Sequence, residues 1–137
     1  MSGKVILIAD DDPTDVLFLR RALTDCSNPC VVFDVADGQE AIDYLAGRGK
    51  YADRAAYPVP GQLFLDLKMP RVSGLEVLEW LRQQPHSAQL PVVIVSGSHL
   101  PDDVQRAKRL GADYLVKPLE YEELREMVCQ YCRKGYA

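Results

Sequence analysis

Short apolar runs alternate along the chain with stretches whose apolar positions recur every three or four residues. Val5 to Ala9 is apolar on both parities, as a strand covered on both faces must be. Val31 to Val35, Leu63 to Leu65, Val92 to Val95 and Tyr114 to Val116 read as four further short strands. Between them, Thr14 to Leu23 sets Val16, Leu19 and Leu23 on one helical stripe, and Gln39 to Leu45 does the same with Ala41, Ile42 and Leu45. Leu75, Leu78, Trp80 and Leu81 supply a third helix ending near Pro85. Val104, Ala107 and Leu110 supply a fourth, and Leu124, Met127, Val128 and Tyr131 a fifth that begins at Tyr121. Pro13 and Pro101 suit first helical turns, Asp12 suits an N-cap, and Gly111 suits a left-handed terminator. Lys50 to Gly61 has no sustained period and reads as a long connection, either a partner surface or a surface loop whose Tyr51 and Tyr57 pack over the sheet edge.

Five strand–helix units in strict alternation predict an α/β fold, a doubly wound parallel sheet with helices on both faces and right-handed crossovers. Ligands of such sheets bind beyond the carboxyl ends of the strands. Asp10 and Asp11, Asp66, Ser96 and Lys117 each follow a different predicted strand at that same end. Sequence-distant side chains therefore converge on one rim.

Composition narrows what this rim can do. The 137 residues are 47% hydrophobic and 26% charged, an ordinary balance for one folded domain, expected to span 1–137 with no separate output domain. A net charge of −4 argues against nucleic acid held by phosphate neutralisation. No apolar run suggests a membrane span, and acids appear too soon after Met1 for a signal-peptide core, so a cytoplasmic location is expected. His86 and His99 are too few for a three-histidine zinc site and read as loop residues. Cys26, Cys30, Cys129 and Cys132 fit zinc spacing only loosely, and reduced, partly buried thiols are expected over either zinc or a disulfide.

Three carboxylates in one cleft repel one another unless a cation neutralises them, and Mg²⁺, with its preference for hard oxygen ligands, is the natural match. Lys117 adds positive charge and Ser96 a short hydroxyl donor, both suited to phosphoryl oxygens. With no Gly-rich phosphate loop present, attack by a carboxylate on a phosphoryl donor is the chemistry these residues suit.

The same residues carry a resemblance from Val5 to about Cys132: Asp10-Asp11 after the first strand, Leu65-Asp66-Leu67-Lys68-Met69-Pro70 followed by Gly74, Ser96 after the fourth strand, and Gly111-Ala112-Asp113-Tyr114-Leu115-Val116-Lys117-Pro118. The chain resembles a response-regulator receiver domain. That resemblance implies a flavodoxin-like, CheY-like three-layer sandwich with strand order 2-1-3-4-5. It implies Asp66 as phosphoacceptor, Asp10, Asp11, Asp66 and the Lys68 carbonyl as the Mg²⁺ ligands, and Lys117 as the contact to the acyl phosphate. Ser96 and Tyr114 take the switch positions, and the bond before Pro118 is implied to be cis. The implied partner is a sensor histidine kinase or phosphotransfer protein. The Asp11-Asp12-Pro13-Thr14-Asp15 opening and the long segment before Gln62 further resemble single-domain regulators paired with bacteriophytochrome-type kinases, a group in which some members form homodimers through their later helices.

Two features depart from the common pattern. Ser96 stands where Thr is more frequent, keeping the hydroxyl without the methyl group that restricts its rotamers. Lys68 and Ser98 lie two residues beyond Asp66 and Ser96, positions that border the attacking water's route in the family. Tyr121, Tyr131 and Tyr136 suggest either an interface or one side of an amphipathic core helix. The alternative functions are a binding module indifferent to phosphorylation and a metal-dependent phosphatase, the latter disfavoured because no separate general acid is apparent.

Overall fold

The computed structural model describes residues 4–26, 30–97 and 100–132. Ser98, His99, Tyr136 and the turn around Pro29 lie outside the described residues. Strands β1 (Lys4–Ala9), β2 (Cys30–Val35), β3 (Gln62–Leu65), β4 (Val92–Ser96) and β5 (Asp113–Val116) alternate with helices α1 (Pro13–Asp25), α2 (Gly38–Ala46), α3 (Gly74–Arg82), α4 (Pro101–Arg109) and α5 (Tyr121–Tyr131). All pairings are parallel, in the order β2-β1-β3-β4-β5. The expected doubly wound sheet is therefore present.

Apolar residues on both parities of the central strands build two cores. Ile6, Ile8, Phe64, Val93 and Val95 face α1 and α5, where Leu19, Leu23 and Val128 meet them. Leu7, Ala9, Leu63, Leu65, Val92 and Ile94 face the opposite layer, against residues of α2, α3 and α4 such as Ile42, Leu78 and Ala107. Side-chain alternation along a strand thus serves two helix layers at once.

The starts of α1, α2 and α3 are fixed by side-chain caps. Asp12 accepts from the backbone N–H groups of Thr14 and Asp15 at 2.9 and 3.4 Å, with Pro13 in the first turn, as its sequence position predicts. Asp37 caps α2 through the Glu40 N–H at 2.7 Å, and Ser73 with Glu76 forms a reciprocal capping box on α3. Gly111 ends the α4 turn at φ +76°, a left-handed conformation that favours glycine.

The connection between α2 and β3 is more structured than an aperiodic sequence suggests. It contains a 3-10 turn (Gly49–Ala52), and the rings of Tyr44, Tyr51 and Tyr57 pack together at centroid separations of 4.8 to 6.1 Å beside Phe33 of the edge strand. The Tyr51 hydroxyl donates to Glu40 at 2.6 Å and that of Tyr44 to the Pro58 carbonyl at 2.9 Å. The tyrosines do cover the sheet edge, with Tyr44 and Tyr51 buried and Tyr57 partly so.

Two expectations are corrected. Cys26 and Cys129 form a disulfide with Cα atoms 5.1 Å apart, while Cys30 and Cys132 are free thiols. The end of α1 packs on α5, a tertiary contact that cysteine spacing could not reveal, and it brings these two within bridging distance. The Lys117–Pro118 peptide is trans, with no cis bond among the described residues; trans is the intrinsically favoured isomer by about 0.5–1 kcal/mol. Tyr131 faces inward, buried beside Phe64 and accepting from Gln62 Nε2 at 3.2 Å, so it belongs to the core helix face and not to an interface.

Candidate phosphoacceptor site

Sheet hydrogen bonding continues one residue past the strands, and this fixes the backbone of the site. The Asp10 N–H donates to the Val35 carbonyl at 3.1 Å, that of Asp66 to Ala9 at 2.9 Å, and that of Lys117 to Ser96 at 2.8 Å. Parallel strands in register thus deliver their next residues to a common rim. Behind Asp66 the chain turns tightly: the Gly74 N–H donates to the Leu67 carbonyl at 2.9 Å, and a Cβ at Gly74 would lie 2.1 Å from the Asp66 carbonyl oxygen. Only glycine permits this approach.

Carboxylate oxygens of Asp10, Asp11 and Asp66 all lie within 4.8 Å of one another. Asp10 and Asp66 are buried, whereas Asp11 is exposed. Asp10 Oδ1 accepts from the Asp12 N–H at 3.0 Å, and Asp66 Oδ1 from the Leu67 N–H at 2.9 Å. Lys117 Nζ donates to Asp10 Oδ2 at 3.0 Å and to Asp15 Oδ2 at 2.8 Å, and lies 3.8 Å from Asp66 Oδ2. An open cleft of about 440 Å³ brings Asp66, Lys68, Ser96 and Lys117 onto one lining together with Asp15. Ser96 is buried at the end of β4, and Lys68 is exposed at the cleft mouth.

Burial sets the electrostatics. It pushes the Asp66 carboxyl up to about 6, with Lys117 opposing the rise and Asp10 adding to it. Asp10 is raised for the same first reason, against the lowering effect of the Asp12 N–H and Lys117. Desolvation acts against the charge of Lys117, but hydrogen bonds to Asp15 and Asp10 outweigh it, so its pKa is raised and the ammonium persists. Two buried, repelling carboxylates with an exposed third form a hard-oxygen set that a divalent cation would neutralise, so the residues fit a metal ion.

The structure thus gathers Asp10, Asp11, Asp66, Lys68, Ser96 and Lys117. Tyr114 pairs with Ile94 across the sheet and is half-buried against the core on the α2–α4 side. Sequence reasoning gave no role to Asp15, although it makes the shortest of the three carboxylate contacts to Lys117. Its position one helical turn past Asp11, on a helix starting at the functional rim, was the available signal.

A five-stranded parallel sheet that ends in this carboxylate rim, with a lysine after β5, suits transfer of a phosphoryl group to a carboxylate. The family model for the response regulator receiver domain matches residues 6–129, and the chain belongs to that family. Response regulator Rcp1 of Synechocystis is 32% identical over 126 residues, 91% of this chain and 84% of its own length. The solved structure of RPA3017, a response regulator in red light signalling of R. palustris, superposes with a TM-score of 0.88 at 31% identity, covering 98% of this chain and 96% of that one. The phosphorylated cyanobacterial phytochrome response regulator RcpA gives 0.87 at 30% identity, covering 95% and 91%. No helix among the described residues is long and apolar enough to cross a membrane.

Proposed function

We propose that Asp66 accepts a phosphoryl group from the phosphohistidine of a sensor histidine kinase, and that the chain signals by presenting a changed surface to a protein partner. The observation that carries this reading is the position of Asp66: a buried carboxylate inside an acidic triad, with Lys117 Nζ 3.8 Å from its Oδ2. Oδ1 is engaged by the Leu67 N–H, which supports Oδ2 as the attacking oxygen. In-line transfer forms the Asp66 O–P bond as the donor's N–P bond breaks and regenerates its histidine; water later cleaves the acyl phosphate to restore the carboxylate.

Asp10, Asp11, Asp66 and the Lys68 carbonyl would hold Mg²⁺, which when bound neutralises charge on the phosphoryl oxygens. Lys117 is the ammonium that follows the phosphoryl group, and the Ser96 hydroxyl donates to it. Tyr114 reports the change along the surface from α4 to α5. The long spans shared with phytochrome-linked regulators support a bacteriophytochrome-type kinase as the donor. Phe18, Leu119 and Tyr121 line a groove of about 500 Å³ that opens beside Asp10 and Lys117, which gives a donor protein apolar surface next to the reacting atoms.

Incubation with acetyl phosphate and Mg²⁺ followed by intact-mass analysis tests this reading. A single added phosphoryl group is expected, lost in Asp66→Asn and on removal of Mg²⁺. Undiminished labelling of Asp66→Asn refutes the assignment.

A further inference from the structure

The Lys117 ammonium has three N–H donors. Two are committed to carboxylates, Asp15 Oδ2 at 2.8 Å and Asp10 Oδ2 at 3.0 Å, while Asp66 Oδ2 at 3.8 Å is beyond hydrogen-bond reach. The closest anion to Lys117 is therefore outside the acidic triad, and it comes from a different element. Asp15 stands in the first turn of α1, its backbone tied by the Asp12 cap. Its side chain is 36% exposed, against 19% for Lys117 and 4% for Asp10, so it draws the ammonium toward the solvent edge of the cleft.

We propose that Asp15 is a positioning residue, a resident counter-ion that holds Lys117 back from Asp66 and must be displaced by an oxyanion bound there. This rests on the phosphoacceptor reading of Asp66. A phosphoryl group on Asp66 offers Lys117 new charged acceptors, and taking them means giving up at least part of the Asp15 contact. Asp15 thereby weakens the site for the phosphoryl group and favours the unphosphorylated arrangement. The charge matters more than the shape: Asn at this position still offers an oxygen but competes poorly for an ammonium.

The test is a fluoroberyllate titration of the full chain at Mg²⁺ concentrations saturating for each variant, since this ion mimics the phosphoryl group without turnover. Asp15→Asn is expected to bind about 2- to 5-fold tighter than the unaltered protein, the scale of one partly exposed ion pair. Asp15→Glu, which keeps the charge, is expected to return toward the original affinity. In a Lys117→Gln background Asp15→Asn should bring no further gain. An equal gain there means that Asp15 acts by direct repulsion and overturns the proposal, as does unchanged or weaker binding in Asp15→Asn alone. The ammonium NMR resonance of Lys117 in Mg²⁺-free protein gives a second readout, decisive should Lys117→Gln bind too weakly to measure. It should move in Asp15→Asn and be restored in Asp15→Glu; an unmoved resonance also overturns the proposal. Failure of the unaltered protein to bind fluoroberyllate at all defeats the phosphoacceptor reading itself, and the inference with it.

Discussion

Asp66 is a carboxyl whose burial moves its titration to about 6 from an ordinary 3.8, with Lys117 pulling the other way and Asp10 reinforcing the rise. Between those values the folded chain binds more protons than the unfolded one. The protonated group's contribution to stability is therefore fully present below about pH 3.8 and lost as pH rises through about 6. In the metal-free protein at neutral pH, ionised Asp66 costs roughly 3 kcal/mol, since a tenfold change in acidity corresponds to about 1.4 kcal/mol. Asp66→Asn removes that cost. In the presence of a chelator at pH 7.5 its melting temperature is expected to exceed that of the unaltered protein by roughly 5 to 10 °C, narrowing toward zero near pH 4. Scanning calorimetry across this range checks it, and a difference that does not change with pH would show that Asp66 is not the group responsible. The residue thus trades folding stability for a nucleophile that a cation and a phosphoryl group can engage.

At the scale of elements, most of the architecture was legible because each strand and helix carries its own period. The ends of β1, β3, β4 and β5 could be read directly as well, which is why Asp10, Asp11, Asp66, Ser96 and Lys117 could be placed on one rim from the sequence. What local pattern does not encode is contact between elements. The disulfide from α1 to α5, the ring cluster that orders the α2–β3 connection and the reach of Asp15 to Lys117 all depend on how helices lie on the sheet. The isomer before Pro118 came from the family resemblance, and here the structure differs. The β3–α3 turn shows how sharply one element constrains another. At Gly74 an added Cβ would meet the Asp66 carbonyl oxygen at 2.1 Å, whereas at Gly97, beside Ser96, it would meet nothing within 4 Å. Gly74→Ala is expected to lose about 2–3 kcal/mol in urea unfolding and to slow phosphorylation, because the backbone carrying Asp66 must shift. Gly97→Ala should stay within about 0.5 kcal/mol. Equal stability of the two variants would show that the turn has room the structure does not display.

Across the whole molecule, the Cys26–Cys129 bridge joins positions 103 residues apart and fastens the first helix to the last. A cross-link over so long a loop restricts the unfolded chain strongly, by about 4–5 kcal/mol in the chain-entropy description. For a chain of this size that corresponds to roughly 14 to 17 °C in melting temperature. The remaining thiols do not threaten the bridge. Burial raises the pKa of Cys30, and it raises that of Cys132 with Cys30 adding to the effect, so both stay protonated near neutral pH and exchange slowly. Cys26 is the partly exposed residue of the pair and Cys129 the buried one, so an external dithiol is expected to attack at Cys26 and release Cys129. The chain should accordingly exist in two forms, tethered under oxidising conditions and open in a reducing compartment such as the cytoplasm. Melting curves with and without a dithiol should differ by the amount above, and a Cys26→Ala/Cys129→Ala variant should melt with the reduced form in either condition. Coincident curves for the oxidised and reduced protein would mean that the bridge does not form in solution. The fold would then rest on its two cores alone, since α1 and α5 share an apolar interface that does not require the sulfur link.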